Sequence, residues 1–133
     1  MLDGMLQIGV QARIAIECQA IRLACRRATT ADFASLEHAL GHIEATIGDP
    51  VDGGLADHEF HAALVRAAKS DTLASLYAAM AGILTRSHRD RRAAVEFDAA
   101  LKQYLIADHR RIVDAVVARD EEIADRVLRD HFG

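Results

Sequence analysis

The sequence predicts an all-α protein, a single antiparallel helical bundle of about six helices. Three observations carry this. Only one proline interrupts 133 residues. Alanine, leucine, arginine and glutamate, all good helix formers, dominate the composition. Apolar residues recur at helical spacing, and no segment sustains the alternation of a strand.

The elements follow in order. The first helix runs unbroken from about Gln7 to Arg27. Thr30 and Asp32 offer N-cap chemistry for a second, from about Ala31 to Ile47. Its Leu36, Leu40, Ile43 and Ile47 form a one-sided stripe. Gly48-Asp49-Pro50 breaks it, and Val51-Asp52-Gly53-Gly54 extends the loop. A third helix spans about Leu55 to Ala68, and Ser70 or Asp71 caps a fourth. The fourth has the stripe Leu73, Leu76, Tyr77, Met80, Ile83 and Leu84. A fifth runs from about Phe97 to Arg119, with Leu101, Leu105, Ile112, Val113 and Val116 along one side. Asp120 caps the last, Glu121 to about His131, and Glu121 and Glu122 suit its positive N-terminal end.

Composition excludes several classes. With 51% hydrophobic and 27% charged residues the chain is too apolar for disorder. It has no apolar run of about 18 residues and no signal-peptide pattern, so a cytoplasmic protein is expected. A net charge of −4 and a pI near 5.9 argue against a nucleic-acid surface spread over the chain. Cys18 and Cys25 fall two helical turns apart, about 10 Å, too far for a disulfide. They read as reduced, buried thiols.

Histidine is abundant, seven in the chain. Each helical residue turns about 100°, which sorts the seven by direction. In the third helix, Leu64, Ala68 and Phe60 lie within about 60° of Asp57, so Asp57 sits mid-face on the apolar side. His61 lies about 40° from it. His109 shares its direction with Leu105, Ile112, Val113 and Val116, and His131 shares a face with Ala124, Val127 and Leu128. A carboxylate and three imidazoles on apolar faces need mutual satisfaction. A divalent transition metal (Zn, Ni, Mn or Fe) satisfies them in one step, and a hydrogen-bonded Asp–His network is the alternative. His38 and His42 lie opposite the second helix's stripe, on a solvated face. His58 lies at a stripe edge, and His88 in the charged run Arg86 to Arg92. Arg13 and Glu17 also face inward, beside Leu6, Ala20 and Ala24. They read as an i, i+4 salt bridge at the rim of the core, or as an Arg whose fork binds an entering carboxylate.

These residues carry a resemblance. The chain resembles the FCD ligand-binding domain of the FadR subfamily of GntR-type bacterial transcription regulators. The first motif is Arg13 to Glu17 with Ala20-Ile21-Arg22-Leu23-Ala24, and the second is Ala31 to Glu37. The strongest is Asp57-His58-Glu59-Phe60-His61-Ala62-Ala63-Leu64, similar to the family's Asp-x-x-Phe-His-x-x-Leu. Asp108 to Val116, Arg119-Asp120 and His131 complete the order. The resemblance implies a helical bundle with a central metal on Asp57, His61, His109 and His131. It implies a small organic acid beside that metal, with Arg13 helping to hold it, and a homodimer. In the family the signal passes to a winged helix-turn-helix domain. Only Met1 to Ala12 precede the first motif here, so residues 1–133 are expected to form the sensing domain alone, without direct DNA contact. His131 stands third from the end, where a frayed turn would make it a looser ligand. The usual Asn-Pro after the third helix is replaced by Ser70-Asp71.

The function expected is a metal-dependent sensor of a small organic acid, not an enzyme. The rivals are a metalloenzyme acting on a small carboxylate and a metal-stabilised dimerisation module. No inward Glu-x-x-His motif supports an oxygen-activating carboxylate centre. Glu59 points about 160° away from His61, a poor place for a general base.

Overall fold

The computed structural model describes residues 2–80 and 98–133, with side chains from residue 9 onward. Six helices make up the described residues: α1 (Leu2–Arg27), α2 (Thr30–Thr46), α3 (Pro50–Ala67), α4 (Asp71–Ala79), α5 (Ala99–Val117) and α6 (Glu121–Phe132). No strand occurs among them. Ile83, Leu84, the charged run around His88 and Phe97 lie outside the described residues.

Helix starts follow side-chain capping. Thr29, not Thr30, caps α2: its side chain accepts from the Asp32 backbone N–H, and the Asp32 carboxylate accepts from the Thr29 backbone N–H. The reciprocal bonds satisfy two donors left open at the helix start. Ser70 caps α4, Asp98 caps α5 and Asp120 caps α6.

The start of α3 differs from the sequence expectation. Residues Val51 to Gly54 are helical rather than loop. Asp49 accepts from the backbone of Val51 and Asp52, and Pro50 occupies the first turn, where its missing N–H costs nothing. Gly53 and Gly54 are buried. Tertiary packing therefore overrides the roughly 1 kcal/mol that each glycine costs a helix.

Helix ends use two residues in the left-handed region. Lys69 has φ 53° after α3, and Arg119 has φ 58° after α5. Glycine takes such positions at lower cost. Here the side chains do structural work instead. Lys69 Nζ pairs with Asp32 at 2.7 Å. Arg119 donates to the carbonyls of Cys25 at 3.0 Å and Ala28 at 2.7 Å, closing the end of α1.

In the packing, α1 lies chiefly against α3 and α6, while α2 pairs with α3 and α5, and α5 with α6. The main core joins Ile21, Leu36, Leu40, Ile43, Phe60, Leu64, Ile112, Val113 and Leu128. A smaller cluster, Ile16, Ala20, Val65, Ala68 and Tyr77, seats α4 on α1 and α3. Within α4, Tyr77 is buried but Leu76 is exposed, so the expected stripe holds only in part. Cys18 and Cys25 are free and buried, and burial pushes both thiols up to about 11. No described helix is long and apolar enough to cross a membrane.

Candidate metal centre

Four inward polar residues meet between α3, α5 and α6. Asp57, His61, His109 and His131 each offer one ligand atom, and these atoms lie within 4.8 Å of one another. His61 is fully buried, His109 nearly so, and Asp57 and His131 slightly exposed. Both His61 Nε2 and His109 Nε2 lie 3.2 Å from the same Asp57 oxygen, Oδ1. Two donors on one zinc-like ion are separated by roughly 3.3 Å in tetrahedral geometry. Both distances are close to that separation, and the one from His109 is also a hydrogen-bond distance.

The imidazoles are oriented from behind. His61 Nδ1 is hydrogen-bonded to Glu17 Oε1. His109 Nδ1 donates to the Leu105 carbonyl one turn earlier, at 2.8 Å. His131 Nδ1 donates to Asp108 Oδ2 at 2.6 Å. Each acceptor favours the proton on Nδ1 and leaves Nε2 as the nitrogen that could coordinate a metal. A neutral Nε2 facing a carboxylate oxygen presents lone pair to lone pair. A cation between them, whether metal or proton, removes that repulsion. The donor set, three nitrogens and one oxygen, fits a transition-metal dication by chemistry and by spacing.

Electrostatics distinguish the imidazoles. Burial works against a charge on His61, yet the Glu17 carboxylate outweighs it and raises the pKa. Burial likewise opposes the charge on Glu17, while His61 and Arg13 hold it below the ordinary range. His131 is pushed down by burial to about 4 despite its bond to Asp108, so it is neutral at pH 7. Asp108 stays ionised because the hydrogen bonds from His131 and Arg111 overcome its burial.

Arg13 is 1% exposed, deeper than a salt bridge at the core rim would be. Its Nε donates to Glu17 Oε2 at 3.1 Å, and its guanidinium stacks 4.7 Å from the Phe132 ring centre. Its second terminal nitrogen is buried and meets no partner among the described residues. Glu17 thus links Arg13 to the His61 imidazole. The sequence reading placed Glu17 only in a salt bridge and gave Asp108 no role. Signals for both were present: Glu17 ends the Arg-x-x-x-Glu pattern, and Asp108 immediately precedes His109.

The final turn makes specific contacts. His131 is pinned by Asp108, and the neighbouring Phe132 is buried beneath Arg13. The other histidines lie off the centre. His58 faces Tyr77, with ring centres 5.6 Å apart. His38 and His42 are exposed on α2. Glu59 is turned away from the centre and meets His42 Nδ1 at 2.9 Å.

A helical bundle with a nitrogen-rich donor cluster at its centre defines a class of helical domains built around an interior polar site. The chain belongs to the FCD domain family, whose model matches residues 9–133. In fold it is similar to E. coli McbR/YncC, with a TM-score of 0.75 at 20% identity. That likeness covers 98% of this chain but 60% of the other, so the chain spans about three fifths of its neighbour's length. No curated protein sequence matches the chain.

Proposed function

We propose that this chain is the metal-dependent sensing domain of a GntR/FadR-type transcription regulator, and that its effector is a small organic acid. One observation carries the reading: three imidazoles are held by their Nδ1 atoms with Asp57 at the common centre. The metal, when bound, acts as a Lewis acid that accepts an oxygen of the effector. Asp57, His61, His109 and His131 would hold it, with Zn, Ni, Mn or Fe suited to the set.

Charge balance favours an anionic effector. The buried carboxylates of Glu17, Asp57 and Asp108 face Arg13 and the half-exposed Arg111. Counting the imidazoles as the neutral nitrogens that coordination requires, the charged side chains of the cluster sum to one net negative charge. A divalent cation reverses it to one net positive, and a monocarboxylate then neutralises it. Arg13 has a buried N–H group that meets no acceptor among the described residues, and its planar fork suits a carboxylate.

Sensing requires that the acid bind two helix packings with different affinity. The ligands sit on α3, α5 and α6, and Arg13 on α1, so an acid that bridges them biases the relative placement of four helices. A homodimer would transmit that bias to a winged-helix domain, which supplies the DNA contact. Family membership favours this regulator over a metalloenzyme, and Glu59, directed at His42, is not available as a base at the centre.

Thermal denaturation with EDTA, added metals and a panel of small carboxylates tests the proposal. Metal at about 100 times its Kd stabilises by about 2.7 kcal/mol. A suitable acid should add a further increment only when metal is present. Metal stabilisation with no response to any acid would favour the dimerisation module. Turnover of an added acid would favour the enzyme.

A further inference from the structure

The outer face of the α2–α3 pair carries a second group of metal-type donors. His38 and His42 stand one turn apart on α2, so their rings project from the same side. Their ring centres are 4.6 Å apart. Glu59 reaches across from α3 and meets His42 Nδ1 at 2.9 Å. One ligand atom from each of the three lies within 4.8 Å of the others. All three side chains reach solvent.

From this geometry we propose that His38, His42 and Glu59 form a second, surface site for a transition-metal dication, separate from the central cluster. The donor set is two imidazoles and one carboxylate, a combination that zinc accepts and that leaves a fourth position open to water. Imidazole also suits copper and nickel. The exposed side chains are free to adjust to the roughly 3.3 Å that neighbouring ligands of one tetrahedral ion require. Helix geometry supplies the His–His spacing before any metal arrives, so little ordering cost remains. The two sites share α3 yet use opposite faces of it: Asp57 and His61 point inward while Glu59 points outward.

A purely structural reading needs only His42 and Glu59, as a hydrogen bond that ties α2 to α3. His38 separates the two. It makes no hydrogen bond to Glu59 in the structure, and only a metal site requires it.

The test is a zinc titration of the untagged chain by calorimetry, on wild type, His38→Gln and His42→Gln, with metal-free melting temperatures alongside. Cobalt, read by its visible absorption, reports the ligand set. The expected result is that each substitution abolishes one zinc equivalent, or weakens it about tenfold or more. The remaining zinc binding should be unchanged, and His38→Gln should leave the metal-free melting temperature at the wild-type value. If the wild type binds no zinc, or both variants bind zinc as the wild type does, the site does not exist. If only His42→Gln changes anything, and it changes only the melting temperature, the pair is a structural tie. Loss of the central metal leaves this test intact, because the equivalent that disappears with His38 is the one assigned.

Discussion

Replacing Glu17 with Gln tests the interior network most directly. Glu17 is fully buried and accepts from Arg13 Nε and His61 Nδ1. The substitution keeps the shape and removes the charge. Arg13, 1% exposed, then retains a buried positive charge with no ionised partner beside it. Removing one member of a buried pair costs about 3–5 kcal/mol. The glutamine oxygen still accepts one hydrogen bond, so the lower end, about 3 kcal/mol, is expected. A domain of this size loses roughly 3–5 °C of Tm per kcal/mol, so the metal-free protein should melt about 10 °C lower. His61 also loses the carboxylate that fixes its tautomer and makes Nε2 more basic, so metal affinity should fall roughly 10–100-fold. Circular dichroism reads the first quantity and calorimetric titration the second. The double variant Arg13→Met, Glu17→Gln should recover part of the lost stability, because no unpaired charge stays buried. A Glu17→Gln protein that melts within about 2 °C of wild type and binds metal normally would refute this account of the network.

Three further outcomes are expected. Burial lowers His131 from 6.5 to about 4, so the unfolded chain takes up a proton between those values while the folded one does not. Stability from this group is therefore whole above about pH 6.5 and lost as pH falls towards 4, by up to about 3 kcal/mol. His131→Gln should flatten the metal-free stability curve over that window, as measured by urea unfolding at several pH values. Glu17 and Asp108, whose folded pKa values are lowered, add a separate loss at lower pH, as each is protonated. Arg119→Ala should cost about 2 kcal/mol in urea unfolding, because two carbonyls at the end of α1 lose their donor and the stacking on Phe33 is lost. Thr29→Ala should cost about 1 kcal/mol through the lost capping box, read by the same measurement.

Much of the fold was legible from periodicity and caps. The stripe Leu36, Leu40 and Ile43 is buried as its spacing requires, and Ser70 and Asp120 cap the helices they precede. The start of α3 was not legible. Gly53 and Gly54 next to a proline carry every local sign of a loop, and only burial against neighbouring helices makes them helical. Local propensity is a weak signal, so packing decides such cases.

For the centre, the sequence alone determined direction. A rotation of about 100° per residue put Asp57, His61, His109 and His131 on apolar faces, and the structure brings these four together. Direction within one helix does not say which atom of a partner helix it meets. The bonds from His61 to Glu17 and from His131 to Asp108 span 44 and 23 positions, respectively. Such contacts depend on how α1, α3, α5 and α6 are rotated and set against one another. Only the tertiary structure decided that. It is why Glu17 and Asp108 emerged as the residues that orient the imidazoles, and why the Arg13–Glu17 salt bridge lies in the interior rather than at the rim of the core.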